Sequence, residues 1–174
     1  DGKRHVSEAK GIINLQKNAY LHVGGKYQTE LLGQTGLPSE EETSIYSLFG
    51  VYHAAFGDAN LTLGLRRDEH DLFGNQFSWR IGGVYDISQQ LSIWGNMGTG
   101  YRAPSLYELY GRDATYGIGG VVGNTELNPE ESMSGDIGVR YAMASLPIEV
   151  DLGYFNIDTD DRIFFSGPPP LYVG

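Results

Sequence analysis

Apolar and polar residues alternate with a period of two through most of this chain, a rhythm that suits β-strands with two unlike faces. In Ala19–Leu31 the odd positions include Leu21, Val23, Tyr27 and Leu31, against His22, Lys26, Gln28 and Glu30 at even positions. Leu61, Leu63 and Leu65 stand against Thr62 and Arg66; Phe77, Trp79, Ile81 and Tyr85 stand against Ser78, Arg80 and Asp86. Met133–Met143 and Ile148–Tyr154 repeat the pattern, with Val139, Tyr141, Val150, Leu152 and Tyr154 on one side and Asp136, Arg140 and Asp151 on the other. Ser44–Phe56 and Leu91–Thr99 alternate less cleanly, and Val6–Leu15 least of all. Successive side chains of a strand point to opposite faces. The chain is therefore expected to be all-β: about eight antiparallel up-and-down strands, most near the ~9–11 residues that cross a bilayer when tilted.

The connections sort by length. Short ones fall at Gln16–Asn18, Gly57–Asn60, Ser88–Gln90 and Ala144–Pro147. Longer ones fall between them, at Gly33–Glu42, His70–Gln76 and Arg102–Glu131. Tight turns at one end and long loops at the other are the pattern of an outer-membrane barrel, although strand alternation alone also fits a soluble sandwich or barrel.

Composition narrows the function. Among 174 residues, 12 Lys and Arg face 22 Asp and Glu, a formal charge of −10, which argues against a nucleic-acid partner. With no cysteine there is no disulfide framework, thiolate metal site or Cys nucleophile. Twenty-five glycines and 21 aromatic residues are unlike a helical bundle. No apolar run reaches the ~18 residues of a membrane-spanning helix.

Few motifs carry chemistry. Gly98–Ala103 matches G-x-G-x-x-A by spelling, but Pro104 follows and the flanks are β, so no helix opens there onto a pyrophosphate. His5, His22, His53 and His70 are scattered, without zinc-site spacing. The carboxylates Asp158, Asp160 and Asp161, and Asp68, Glu69 and Asp71, lack the glycine and closing glutamate of a calcium loop. No catalytic residue, cofactor or resident metal is expected. Ser105-Leu106-Tyr107-Glu108 is a capping box and predicts a short helical turn to about Tyr110.

The segment Gly100-Tyr101-Arg102-Ala103-Pro104-Ser105-Leu106-Tyr107-Glu108-Leu109-Tyr110-Gly111, followed by Gly123-Asn124-Thr125-Glu126-Leu127-Asn128-Pro129-Glu130, resembles the TonB-dependent receptor family. Those receptors carry G-F-R-A-P-x-x-x-E-L-Y and then G-N-P-x-L-x-P-E in the second half of their barrel. Leu63–Asp68 is similar to the family's G-L-R-x-D strand end, and Tyr154–Asp158 with Arg162-Ile163 resembles its Y-F-x-N-x-I-x-D-x-I segment. The chain departs from the pattern at Tyr101, usually Phe, and Thr125, usually Pro.

The resemblance implies a bacterial outer-membrane receptor for active uptake of a metal chelate, powered by the TonB system through a plug. Residues 1–174 would be a partial barrel domain, without plug or C-terminal strands, and not an enzyme. Its partners would be outer-membrane lipid and the chelate. Haem receptors of the family carry a histidine between the two motifs; none occurs from Asp71 to Gly174, which leaves cobalamin, slightly ahead on the look of the strands, and ferric siderophores. Tyr101, Arg102, Tyr107, Tyr110, Tyr116 and Asn124 are the candidate ligand-binding residues, on loops at the mouth. Their tyrosines either present amphipathic rings to a chelate or pack the loop against the rim. The alternatives are a small complete outer-membrane barrel and a soluble β-domain that binds a partner.

Two local expectations follow. The apolar set should face lipid, with Arg66, Arg80, Asp136, Arg140 and Asp151 facing inward. If Met143 stands opposite Ile148, then Arg140 meets Asp151 and Gly138 meets Gly153. A wall piece with two unpaired edges should also self-associate when isolated.

Overall fold

A computed structural model describes residues 2–33, 40–113, 120–166 and 171–174. Eight strands form one antiparallel sheet in sequential order: β1 (Gly2–Gln16), β2 (Ala19–Leu32), β3 (Glu41–Phe56), β4 (Ala59–His70), β5 (Gly74–Asp86), β6 (Leu91–Arg102), β7 (Glu130–Ala142) and β8 (Glu149–Asp160). Helix α1 (Leu106–Tyr110) interrupts the long β6–β7 connection, and a small hairpin of β9 (Phe164–Ser166) and β10 (Leu171–Val173) follows β8. That hairpin is absent from the period-two reading, since three-residue strands are too short to show a period.

The register sorts the faces as the alternation requires. Directly paired residues of an antiparallel sheet share a face. One row runs Leu21, Tyr52, Leu63, Ile81, Met97, giving a continuous apolar stripe across β2 to β6. The inward set lies on the opposite face, and every residue of the expected lipid set shares the face of Leu63. On strands inside the sheet this face carries exposed apolar side chains, Leu65 at 57% and Phe77 at 62%. A hollow of about 610 Å³ on the other face is bordered by His53, Thr62, Arg80, Asn96 and Arg140.

The β7–β8 hairpin has the expected register. Met143 N–H donates to the Ile148 carbonyl at 2.9 Å, Gly138 pairs with Gly153, and Arg140 pairs with Asp151. Arg140 Nε donates to Asp151 Oδ2 at 2.9 Å.

Two expectations change. The connection predicted at His70–Gln76 is only Asp71–Phe73, because β4 and β5 run on to His70 and from Gly74. Asp71 holds the turn to β3: its carboxylate accepts from Thr43 Oγ1 at 2.5 Å and Ser44 N–H at 2.8 Å, and Gly74 supplies the positive φ of 69°. The small complete barrel is also set aside, because β1 and β8 lie at opposite ends of the sheet order and do not pair.

Candidate functional site

The β6–β7 connection is anchored where it begins. Pro104 cannot extend the ladder, and Ser105 caps α1. Ser105 Oγ accepts from Glu108 N–H at 3.2 Å, and Glu108 Oε2 accepts from Ser105 N–H at 2.7 Å, so both arms of the box form. The Glu108 carboxylate also takes Arg102 Nη1 at 3.0 and 3.1 Å. On its other side Arg102 Nε donates to Glu130 Oε2 at 2.6 Å, and Glu130 Oε1 accepts Ile163 N–H at 2.7 Å. One guanidinium thus joins both ends of the long connection, and Glu130 joins them to the chain after β8. Burial opposes the charge on Glu108, but the bonds from Arg102 and Ser105 outweigh it and hold its carboxyl below the usual carboxylate range.

A small apolar core sits above the sheet. Leu109, Leu127 and Ile163 are buried together, with Phe73, Tyr110 and Tyr172 packed around them. Asn124 locks this unit: its Nδ2 donates to the Tyr172 carbonyl at 3.1 Å, and its Oδ1 accepts Glu126 N–H at 3.0 Å. Tyr172 N–H donates to the Val122 carbonyl at 3.1 Å, and its ring meets Tyr107 edge-on at 6.2 Å. Burial, with Tyr107 and Glu108 nearby, raises the Tyr172 phenol above its ordinary range.

Beneath α1, which contacts β2 and β3, the inner face holds buried polar residues: Gln28, Thr43, Ser47, Asp68 and His70. Arg66 binds Asp68 in a fork, both bonds at 2.7 Å, and reaches Ser47 Oγ at 2.8 Å. Arg4 Nη2 donates to Gln28 Oε1 at 2.7 Å, and Gln28 passes a bond to Glu30 at 2.8 Å. Arg4, Gln28, Glu30, Arg66, Asp68 and His70, with Lys26, Tyr101, Arg102 and Ser105, line a cleft of about 370 Å³ at the end of the sheet that carries the long connection, with Thr43 and Ser47 behind it as hydrogen-bond partners.

Tyr101 enters this cleft through a separation of two strands. The β5–β6 ladder ends at Arg80 opposite Gly98, whereas β6–β7 continues to Arg102 opposite Glu130. Above Gly98 the Thr99 hydroxyl, not a backbone carbonyl, accepts Trp79 N–H, at 3.2 Å. A side chain at Gly98 would meet the β5 backbone at Trp79 and Arg80, so its absence permits the close crossing. The Tyr101 hydroxyl is shielded from solvent and makes no hydrogen bond among the described residues.

The structure thus gathers Tyr101, Arg102, Tyr107, Tyr110 and Asn124 at one end of the sheet but gives them different settings. Arg102, Tyr110 and Asn124 brace the loop, Tyr107 is partly open, and Tyr101 lines the cleft with its hydroxyl buried and without a hydrogen bond among the described residues. Tyr116 lies outside the described residues, as do positions 34–39 of the β2–β3 connection. The inner wall of the cleft is absent from the residues singled out by motif. Its signal was present in the polar set at even positions of β2 and β4 near their ends, from Lys26 to Glu30 and from Arg66 to His70.

The sequence model of the family described as "TonB dependent receptor-like, beta-barrel" matches residues 8–173. The vitamin B12 transporter BtuB of Vibrio vulnificus is 30% identical over 190 residues, covering 99% of this chain and 29% of its own length. The iron-regulated outer membrane virulence protein of Vibrio cholerae is 33% identical over 106 residues, 59% of this chain and 16% of its own. The siderophore receptor PirA of Pseudomonas aeruginosa superposes with a TM-score of 0.82 at 20% identity, over 99% of this chain and 34% of that one. The chain thus spans about a third or less of the proteins it matches.

Proposed function

Because the chain belongs to the TonB-dependent receptor β-barrel family, we propose that it is a stretch of barrel wall from a bacterial outer-membrane receptor that takes up a metal chelate, cobalamin or a ferric siderophore. On this reading the outer face meets lipid, the inner face meets a plug, and the TonB system acts through that plug. Residues 1–174 act as a partial barrel domain with no covalent chemistry of their own; transport by such a wall requires binding and passage.

The observation that carries the reading is the union of a two-faced sheet with a polar cleft at its long-loop end, lined by Arg4, Lys26, Arg66, Tyr101 and Arg102. An amphipathic ring beside charged side chains suits a large, partly apolar, polar-edged chelate. Tyr107, partly open on α1, is a second loop ring to test, and Tyr116 is the remaining loop tyrosine. Arg102 and Asn124 contribute by holding the loop in place. Alignment of a B12 transporter over nearly the whole chain supports cobalamin ahead of a siderophore.

Uptake by cells lacking and expressing the full receptor tests the proposal. Radiolabelled cobalamin and a panel of ferric siderophores should give one substrate whose accumulation depends on the receptor and falls with Tyr101→Phe and Tyr107→Ala. Receptor-independent accumulation of every chelate would overturn it.

A further inference from the structure

A second cluster lies at the opposite end of the inner face, near the tight β1–β2 turn and away from the cleft. His22 in β2 and His53 in β3 occupy adjacent strands, with Val51 opposite His22 and Tyr20 opposite His53. All three rings share the inner face. The imidazole centroids are 5.7 Å apart with planes inclined at 78°. Tyr20 stacks on His53 at 4.9 Å and meets His22 edge-on at 5.2 Å. Both histidines are half-buried.

Two imidazoles that share one ion at about 2.1 Å place their ring centroids about 5.5 Å apart for a near-tetrahedral angle. The spacing here meets that condition, and the terminal torsion of each ring is soft enough to turn its nitrogen toward a common point. His53 Nδ1 lies 3.0 Å from Thr62 Oγ1. When Nδ1 donates to that hydroxyl, Nε2 carries the free lone pair, which is the outer-sphere arrangement that orients ligating histidines. The strand pair fixes both Cα positions, and the Tyr20 ring restricts the rotamers.

We propose that His22 and His53 form a two-imidazole site for a borderline divalent metal ion: zinc, copper or nickel. Imidazole nitrogen selects these over calcium and magnesium, which take oxygen. Among the described residues no group of three or more His, Cys, Asp or Glu is placed to hold a metal, so water or a segment filling the lumen completes the coordination. The site is independent of the chelate cleft and of which chelate is taken up.

The test is titration of the full receptor, stripped with chelator and purified in detergent, with copper(II) sulfate and with zinc chloride alone. Copper electron paramagnetic resonance should show two coupled imidazole nitrogens in the unaltered protein. His22→Gln and His53→Gln should each leave one and weaken zinc binding, while Thr62→Val should weaken it about tenfold with both nitrogens retained. His5→Gln, on the outer face, should change nothing. A copper spectrum from the unaltered receptor with fewer than two imidazole nitrogens would overturn the proposal without recourse to any variant, as would zinc affinity unmoved by His22→Gln or His53→Gln.

Discussion

The Trp94 indole N–H donates to Asp151 Oδ1 at 3.0 Å from two strands away, and its ring lies across Gly138 and Gly153 on the intervening ladder. The two glycines make room for the ring, and Asp151 holds its far end while also binding Arg140. Any side chain at Gly138 meets the indole. Gly138→Val should therefore destabilise the folded barrel by about 1–3 kcal/mol, the usual cost of overpacking. Adding Trp94→Ala should recover part of that loss. Urea unfolding in detergent measures both; additive losses would separate the ring from the glycine.

Neighbouring positions on β6 should respond oppositely to charge. Met97 faces outward in the stripe with Ile81, whereas Asn96 faces inward, its Nδ2 donating to Asp136 Oδ1 at 2.6 Å. Met97→Arg should cost about 2–4 kcal/mol near mid-membrane. Asn96→Arg should be tolerated because Asp136 can receive it. Yield of folded, heat-modifiable receptor in the outer membrane checks the contrast.

The loop brace depends on Arg102. Arg102→Ala leaves Glu108 and Glu130 without their shared cation and should speed proteolytic cleavage within Ala103–Pro129 severalfold, with the strands intact. Ser105→Ala removes one arm of the cap and should cost about 1 kcal/mol of local stability. Amide exchange at Leu106–Tyr110 should accelerate accordingly, without a change at β2 or β3.

Acid should loosen the same unit. The Glu108 carboxyl is held below its unfolded value, so its contribution is fully present above the unfolded pKa of about 4.3 and is lost as pH falls through the lower folded value. Loop cleavage by an acid-active protease should rise as pH drops below about 4.3. Glu108→Gln should weaken that dependence, leaving the part carried by Glu130 on the same guanidinium, while raising cleavage at neutral pH.

The outer edges of the sheet are unpaired, and every residue of β1 is exposed. The 174-residue chain alone, refolded in detergent, should associate through these edges. Light scattering should find dimers or larger species. A stable monomer retaining eight full strands would contradict this.

The sheet was legible in the sequence because both of its faces obey a local rule. Leu63 and Arg66 differ in parity, and so in face, whatever surrounds them. The Arg140–Asp151 pairing followed from a short turn and the demand that apolar residues meet. The capping box needed only Ser105 and Glu108. The cleft was harder because it depends on residues distant in sequence. Asp71 shortens its turn by reaching Thr43 and Ser44 on another strand, and no turn signal at His70–Gln76 encodes those partners. Tyr101 has the parity of the outer face, yet enters the cleft because β6 departs from β5 at Gly98. Leu109, Leu127 and Ile163 form a core from three segments that are each too short to show a period.

The parting of β5 and β6 gives the mouth of the wall a one-sided suspension. Above Gly98 the backbone ladder of β6 runs to β7 alone, and the link back to β5 is the one bond from Trp79 N–H to the Thr99 hydroxyl, so the base of the long loop is carried chiefly by the β7 ladder and Arg102. The loop is thereby tied through Glu130 to β7 and to the segment beyond β8 more firmly than to β5.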